Sequence, residues 1–274
     1  MENLKQCIDE AKKYIRSQSK VKPKFGVILG TGMGKLADSV TGAKVIPYDQ
    51  IPHFPVSTVE SHHGNLLLGK LSGVPVMMMQ GRFHRYEGYS LKQVTFPVRV
   101  MKAIGCHSLI VMNAVGSMNP LIPAGSIVTV TDFINMMGDN PLIGPNDDAL
   151  GPRFPDMSEP YNRKYIELMH DVALQNKLRL EKGVMIAVTG PNLETAAEYR
   201  FFRRIGADIV TMSTVPETIV AVHAGMKALA LSTVTDNCLP DSLKPAKLED
   251  ILAVAGAAEP RLSALVKGFL KRFA

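Results

Sequence analysis

Residues 208–234 read DIVTMSTVPETIVAVHAGMKALALSTV, and their pattern decides the fold class. Residues 208–212 form a short apolar run, 216–224 carry apolar side chains at helical spacing, and 227–234 form a second apolar run. Strand, helix and strand in immediate succession mark an α/β unit, in which buried strands alternate with covering helices.

The same alternation extends outward in both directions. Residues 24–29 (KFGVIL), 65–70, 74–80, 108–112, 126–130 and 184–188 read as further short buried strands, bounded by glycine, proline or asparagine. Residues 91–104, 161–176, 194–205 and 248–273 read as helices, the last with Ile251, Leu252, Val254, Leu262, Leu265, Val266 and Phe269 at helical spacing. This predicts a three-layer α/β/α fold around a central mixed β-sheet, with residues 1–274 forming a single domain. There is no Ser/Gly-rich linker, internal repeat or block of like charge to divide it. Ligands of such sheets gather at the carboxyl ends of strands, so chemistry is expected just after each apolar run.

Composition narrows the class. With 46% hydrophobic residues in 274, the core is large enough to need neither disulfide nor structural metal. The three cysteines, Cys7, Cys106 and Cys238, are scattered and odd in number, which suits a reducing cytoplasm. The first twenty residues read as an amphipathic helix and not as a signal peptide. No apolar run approaches the roughly 18 residues of a spanning helix. A net charge of +6 suits an anionic ligand, but no stripe of basic and aromatic residues supports nucleic-acid binding.

Six loops lie where chemistry is expected, and each has a plain structural alternative. GTGMG at residues 30–34 follows the first strand; its glycines and Thr31 suit an anion cradle or a tight turn, and its spacing fits neither a dinucleotide fingerprint nor a P-loop. GRFHRYEGY at 81–89 concentrates donors after a buried run. Arg82 offers a bidentate fork to an oxyanion, His84 a donor, and Tyr86 a flat face with a polar tip. Salt bridges in a solvated loop account for Arg85 and Glu87 but not for all of these donors. NAVGS at 113–117 permits close backbone approach to a ligand or simply a turn. In TGPNLET at 189–195, Glu194 either complements a helix dipole or accepts a hydrogen bond from a ring N–H. In MSTVPE at 212–217, Ser213 or Thr214 caps a helix or binds phosphate at its N-terminus. Thr235, Asp236 and Asn237 close the final strand. Residues 135–159, rich in proline and glycine, form a long loop of the kind that is functional or disordered. No HExxH, paired-cysteine or GxSxG pattern is present, and no metal site is read.

Together, GRFHRYEGY, NAVGS, NPLIGPND with PRFPDMS, GPNLET and MSTVPE, in this order and spacing, closely resemble the trimeric purine nucleoside phosphorylase family, from about Phe25 to about Phe269. The resemblance implies phosphorolysis of purine nucleosides without metal or organic cofactor, phosphate being a co-substrate. By position it makes Thr31, Arg82, His84, Ser213 and the backbone amide of Ala114 the phosphate ligands, with His62 closing over them. Tyr86 and Met212 would hold the ribose, and Leu193, Glu194, Val210 and Asp236 would line the purine. His84, Glu194 and Asp236 would carry the catalytic roles. Phe154 would reach a neighbouring subunit's sugar site, which implies a homotrimer.

Three departures from the family pattern bear on substrate. Asp236 replaces the usual asparagine, which both accepts and donates; an ionised aspartate only accepts and so suits a 6-aminopurine. Glu194 points the other way, pairing with N1–H of hypoxanthine or guanine. Leu193 replaces a stacking phenylalanine, and Leu248 takes the place of a histidine that contacts the 5′-hydroxyl, so an apolar 5′ group fits. Adenosine or 5′-methylthioadenosine phosphorolysis is therefore the alternative specificity, and a silent purine- or phosphate-binding protein is the alternative class.

Overall fold

The computed structural model describes residues 3–56 and 63–274. In chain order the elements are α1 (Leu4–Gln18), β1 (Phe25–Ile28), β2 (Thr41–Pro47), β3 (Asn65–Leu71), β4 (Val74–Gln80), α2 (Leu91–Val94), α3 (Phe96–Ile104), β5 (Ser108–Ser117) and β6 (Ile127–Asn135). They continue as α4 (Arg163–Gln175), β7 (Glu181–Ala187), α5 (Ala196–Arg204), β8 (Ile209–Thr211), α6 (Val215–His223), β9 (Lys227–Asn237) and α7 (Leu248–Leu270).

The strands form one mixed sheet in the order β2-β3-β4-β1-β5-β8-β7-β6-β9. The α/β class and the central mixed sheet are those read from the sequence. β5 runs parallel to β1 and to β9, β6 to β7 and β7 to β8, while β2/β3, β3/β4, β5/β8 and β6/β9 are antiparallel. Because β5 also pairs with β9, the last five strands of the order close into a ring. Leu109, Ile110 and Val111 are wholly buried, as expected of a strand covered on both faces. α1 packs on α3 and α3 on α6, while α4 packs on α7, whose Leu262, Leu265, Val266 and Phe269 are buried. Each such side chain contributes about 1.5–3 kcal/mol through removal from water.

Three differences from the sequence pattern have physical causes. β2 was not expected: it is an edge strand with five successive exposed residues, and Gly42 and Pro47 mask its period. The predicted helix over 91–104 is broken at Thr95, whose Oγ1 donates to the Leu91 carbonyl at 2.7 Å, just before Pro97, which lacks a backbone donor. β5 and β9 both run beyond their predicted ends, absorbing NAVGS and Thr235, Asp236 and Asn237 into strand, with Thr235 at a shift in register.

That last difference positions the site. β1 accompanies β5 only as far as Val111, and β8 joins it only at Gly116. Among the described residues, Met112, Asn113, Ala114 and Val115 therefore pair with β9 alone. The sheet opens on one flank of β5 where its neighbours diverge, and such a switch point is where α/β sheets bind ligands.

Candidate active site

A cavity of about 390 Å³ lies in this opening. At one end Gly30 passes so close to β5 that a Cβ there would sit 2.7 Å from the Met112 carbonyl oxygen, which explains the glycine. Thr31 and Ala114 also line the cavity.

Arg82 reaches the cavity from the end of β4 and is only 2% exposed. Its Nη1 donates to Thr214 Oγ1 at 3.1 Å and to Ser213 Oγ at 3.3 Å, and forms an ion pair with Glu217 Oε1 at 3.4 Å. Its Nη2 donates to the Met112 carbonyl. Burial lowers the guanidinium from its ordinary value, and Glu217 opposes that shift by its charge. The arrangement holds one cation with a rigid donor fork against the cavity, braced from α6 and β5.

Thr214 shows how the turn into α6 is bent for this purpose. It is the N-cap residue, yet its side chain makes no capping bond, and its φ of 66° is strained for a β-branched residue. The hydroxyl accepts from Arg82 instead. Ordinary N-capping by Ser213 or Thr214, one of the two readings of this motif, is thus replaced by a serine–threonine pair facing the arginine.

His84 lines the cavity beside Arg82. Its Nδ1 lies 2.9 Å from Glu87 Oε1, its backbone N–H donates to the same oxygen at 2.8 Å, and its ring stacks on Tyr86 with centroids 4.6 Å apart. With Nδ1 engaged by Glu87, a bond from the ring to a cleft ligand runs through Nε2. A neutral ring accepts there from a sugar hydroxyl, and an imidazolium donates to a phosphate. Burial and Glu87 push the Tyr86 hydroxyl up to about 12, so it remains a neutral donor. Tyr86 and Met212 also line the cavity.

The far end carries two carboxylates, Glu194 and Asp236, with Val210 and Leu193; Leu248 also lines the cavity. Glu194 immediately precedes the capping residue of α5. α5 is capped by a Thr195–Glu198 box, with Thr195 N–H donating to Glu198 Oε2 at 2.7 Å, and Glu194 stands just outside it. Burial raises the Glu194 carboxyl above its ordinary value, the Tyr199 hydroxyl opposes this, and the nearby Asp236 adds to it. Asp236 accepts from Thr235 Oγ1 at 2.8 Å through Oδ1 and from Cys238 Sγ at 3.0 Å through Oδ2.

Twelve of the residues singled out in the sequence thus share one cavity: Thr31, Arg82, His84, Tyr86, Ala114, Leu193, Glu194, Val210, Met212, Ser213, Asp236 and Leu248. Phe154 is not among them; it is 87% exposed on the long loop, under the Arg153 guanidinium. His62 lies outside the described residues. Sequence reasoning passed over Asn113, Glu217, Tyr199 and Cys238. Asn113 signalled itself as a polar residue ending an apolar run; it donates to Thr211 Oγ1 and accepts from Ser232 Oγ, tying β5 to its neighbours. The other three owe their roles to partners distant in sequence. Among the described residues no group of three or more His, Cys, Asp or Glu side chains is placed to hold a metal ion.

Residues 24–271 match the family model of the phosphorylase superfamily. The chain is 47% identical over 270 residues to purine nucleoside phosphorylase 1 of Bacillus subtilis, covering 98% of this chain and all of the relative. It is 42% identical to bovine purine nucleoside phosphorylase, covering 93% of this chain and 90% of the relative. A crystal structure of a Schistosoma mansoni purine nucleoside phosphorylase isoform, in complex with cytosine and ribose-1-phosphate, superposes with a TM-score of 0.94 at 38% identity. The match covers 98% of this chain and 97% of that one.

Proposed function

This chain belongs to the phosphorylase superfamily, and we propose that it acts, as one domain, as a purine nucleoside phosphorylase. It is a pentosyltransferase that converts purine ribo- and deoxyribonucleosides and phosphate, reversibly, to free base and pentose 1-phosphate, in purine salvage. One observation carries the reading: a single cleft has a braced, buried arginine with hydroxyls at one end and two carboxylates at the other. Such a cleft holds an oxyanion and a heterocycle at the two ends of a sugar.

The chemistry follows from that polarity. Phosphate held by Arg82, Thr31, Ser213, His84 and the Ala114 amide lies beside the anomeric carbon. As the C1′–N9 bond breaks, positive charge builds on the ribose and negative charge on the purine. The phosphate dianion stabilises the first and then captures C1′, while Tyr86 and Met212 hold the sugar. N7 of the departing purine anion takes a proton from solvent, and Asp236 accepts a hydrogen bond from the resulting N7–H. Glu194 accepts from N1–H of a 6-oxopurine. Positioning and preorganised charge supply the rate enhancement, with neither metal nor organic cofactor.

The test is phosphate-dependent base release from inosine, guanosine, adenosine and 5′-methylthioadenosine. The last belongs in the panel because Leu248 lines the cleft where a 5′ group would lie. Turnover without phosphate would mean a hydrolase; saturable binding without turnover would mean a silent binding protein.

Glu194 sets a pH dependence. Its raised pKa means that the proton stays on to a higher pH than on an ordinary glutamate, whose reference value is 4.5. The ionised form, present above that raised pKa, accepts from N1–H of inosine; the protonated form donates to N1 of adenosine. As pH falls through this range, kcat/KM for inosine is expected to decline before that for adenosine. Glu194→Gln is expected to abolish the divergence. Parallel profiles for the two substrates in the unsubstituted enzyme would remove Glu194 from base recognition.

The reading extends to a cytoplasmic homotrimer in which Phe154 completes a neighbour's site. Phe154, Ile143 and Met136 are exposed on or beside the long loop, a set of apolar side chains suited to burial by a second copy. The cysteines are free, and among the described residues no helix is long and apolar enough to cross a membrane. Light scattering is expected to give a mass of three chains, and Phe154→Ala to raise the KM for nucleoside. A monomer with full activity would reject this part.

A further inference from the structure

The base end contains two neutral donors that the mechanism above does not use. Cys238 is buried, its backbone N–H donates to the Ser117 carbonyl at 2.7 Å, and its Sγ donates to Asp236 Oδ2 at 3.0 Å. Gly116 makes the room: a Cβ there would collide with the Cys238 sulfur and come within 3.2 Å of Asp236 Oδ2. Tyr199, buried on α5, lines the same cavity as Glu194 and Cys238 and interacts with both. Burial, reinforced by the neighbouring carboxylates, pushes both the thiol and the phenol far up, so each keeps its proton.

Each group has a single proton to give. The thiol gives its proton to Asp236, and the phenol gives its own to the stronger acceptor beside it, the Glu194 carboxylate. Thr235 already donates to the other oxygen of Asp236. Both oxygens of Asp236 thus receive donors from the protein, and the lone pairs that remain face the base as acceptors.

Building on the phosphorylase reading, we infer that Cys238 and Tyr199 are positioning residues that set base preference, each by holding one carboxylate as a hydrogen-bond acceptor. They act in opposite senses. Cys238 holds Asp236 against position 6, where it welcomes a 6-amino group and repels a 6-oxo group. Tyr199 holds Glu194 ready for N1–H, which 6-oxopurines have and adenine lacks.

The experiment is the ratio of kcat/KM for inosine to that for adenosine in the enzyme and in Cys238→Ala, Cys238→Ser and Tyr199→Phe. Removing the thiol releases the Asp236 carboxyl to turn from O6, so Cys238→Ala is expected to raise the ratio about ten-fold, the size of a hydrogen bond to a charged group. Cys238→Ser keeps a donor and is expected to restore the original ratio. Tyr199→Phe is expected to lower the ratio by a similar factor. A merely structural role would depress both substrates together, and thermal unfolding shows whether each variant folds. Ratios unchanged in Cys238→Ala and Tyr199→Phe, or a Ser variant that behaves like Ala, would overturn the inference while leaving the phosphorylase reading intact. Absence of phosphate-dependent cleavage of either nucleoside by the unsubstituted enzyme would overturn that reading itself.

Discussion

Replacing Arg82 with alanine is expected to lower kcat/KM for phosphorolysis by about 10²–10³-fold, the loss typical of removing one preorganised donor from a developing charge. The geometry argues for the upper end of that range. Arg82 is the guanidinium that lines the cavity, and its orientation is set by Ser213, Thr214, Glu217 and the Met112 carbonyl together. The substituted site therefore loses both the charge and the group around which the two hydroxyls are arranged. Arg82→Lys keeps a charge but loses the planar fork, so an intermediate defect, concentrated in the KM for phosphate, is expected. Steady-state kinetics with phosphate varied at saturating inosine checks both variants. Near-normal turnover by Arg82→Ala would show that the anion sits elsewhere.

The second large effect concerns stability. Glu217 is 2% exposed, its Oε1 faces Arg82, and its Oε2 has no hydrogen-bond partner among the described residues. Removing it breaks a buried ion pair at a 2% exposed guanidinium, a change that costs about 3–5 kcal/mol. Glu217→Ala is expected to unfold at correspondingly lower urea concentration and temperature. A double variant, Arg82→Met with Glu217→Leu, removes both charges and is expected to regain most of that stability while remaining inactive. Stability and catalysis would then separate cleanly. If Glu217→Ala were as stable as the unsubstituted protein, the ion pair would carry no structural weight.

This pair also marks the limit of what local sequence reveals. Arg82 stood out because strong donors followed a buried strand. Glu217 lay within MSTVPE, a quoted motif, but nothing nearby in the chain assigned it a role. Its partner is 135 residues away, and only the packing of α6 against α3, β5 and β9 brings the two together. Tyr199 and Cys238 escaped notice for the same reason: a tyrosine on an amphipathic helix and a cysteine after a strand are unremarkable until β9 and α5 meet around Glu194 and Asp236.

What the sequence determined by itself was the α/β class, most strand and helix positions, and the twelve residues that share the cleft. Hydrophobic period and turn residues are local properties, and the ordered motifs carry the family resemblance, so both are legible without coordinates. The tertiary structure alone decided that β5 and β9 continue through their apparent ends, and that β1 and β8 part on one flank of β5 to open the site. It also decided that Thr214 turns its hydroxyl to an arginine in place of its own helix. Strand length and pairing depend on partners remote in sequence, and a strained backbone persists only where surrounding packing over-determines it. Neither is written in the residues that show it.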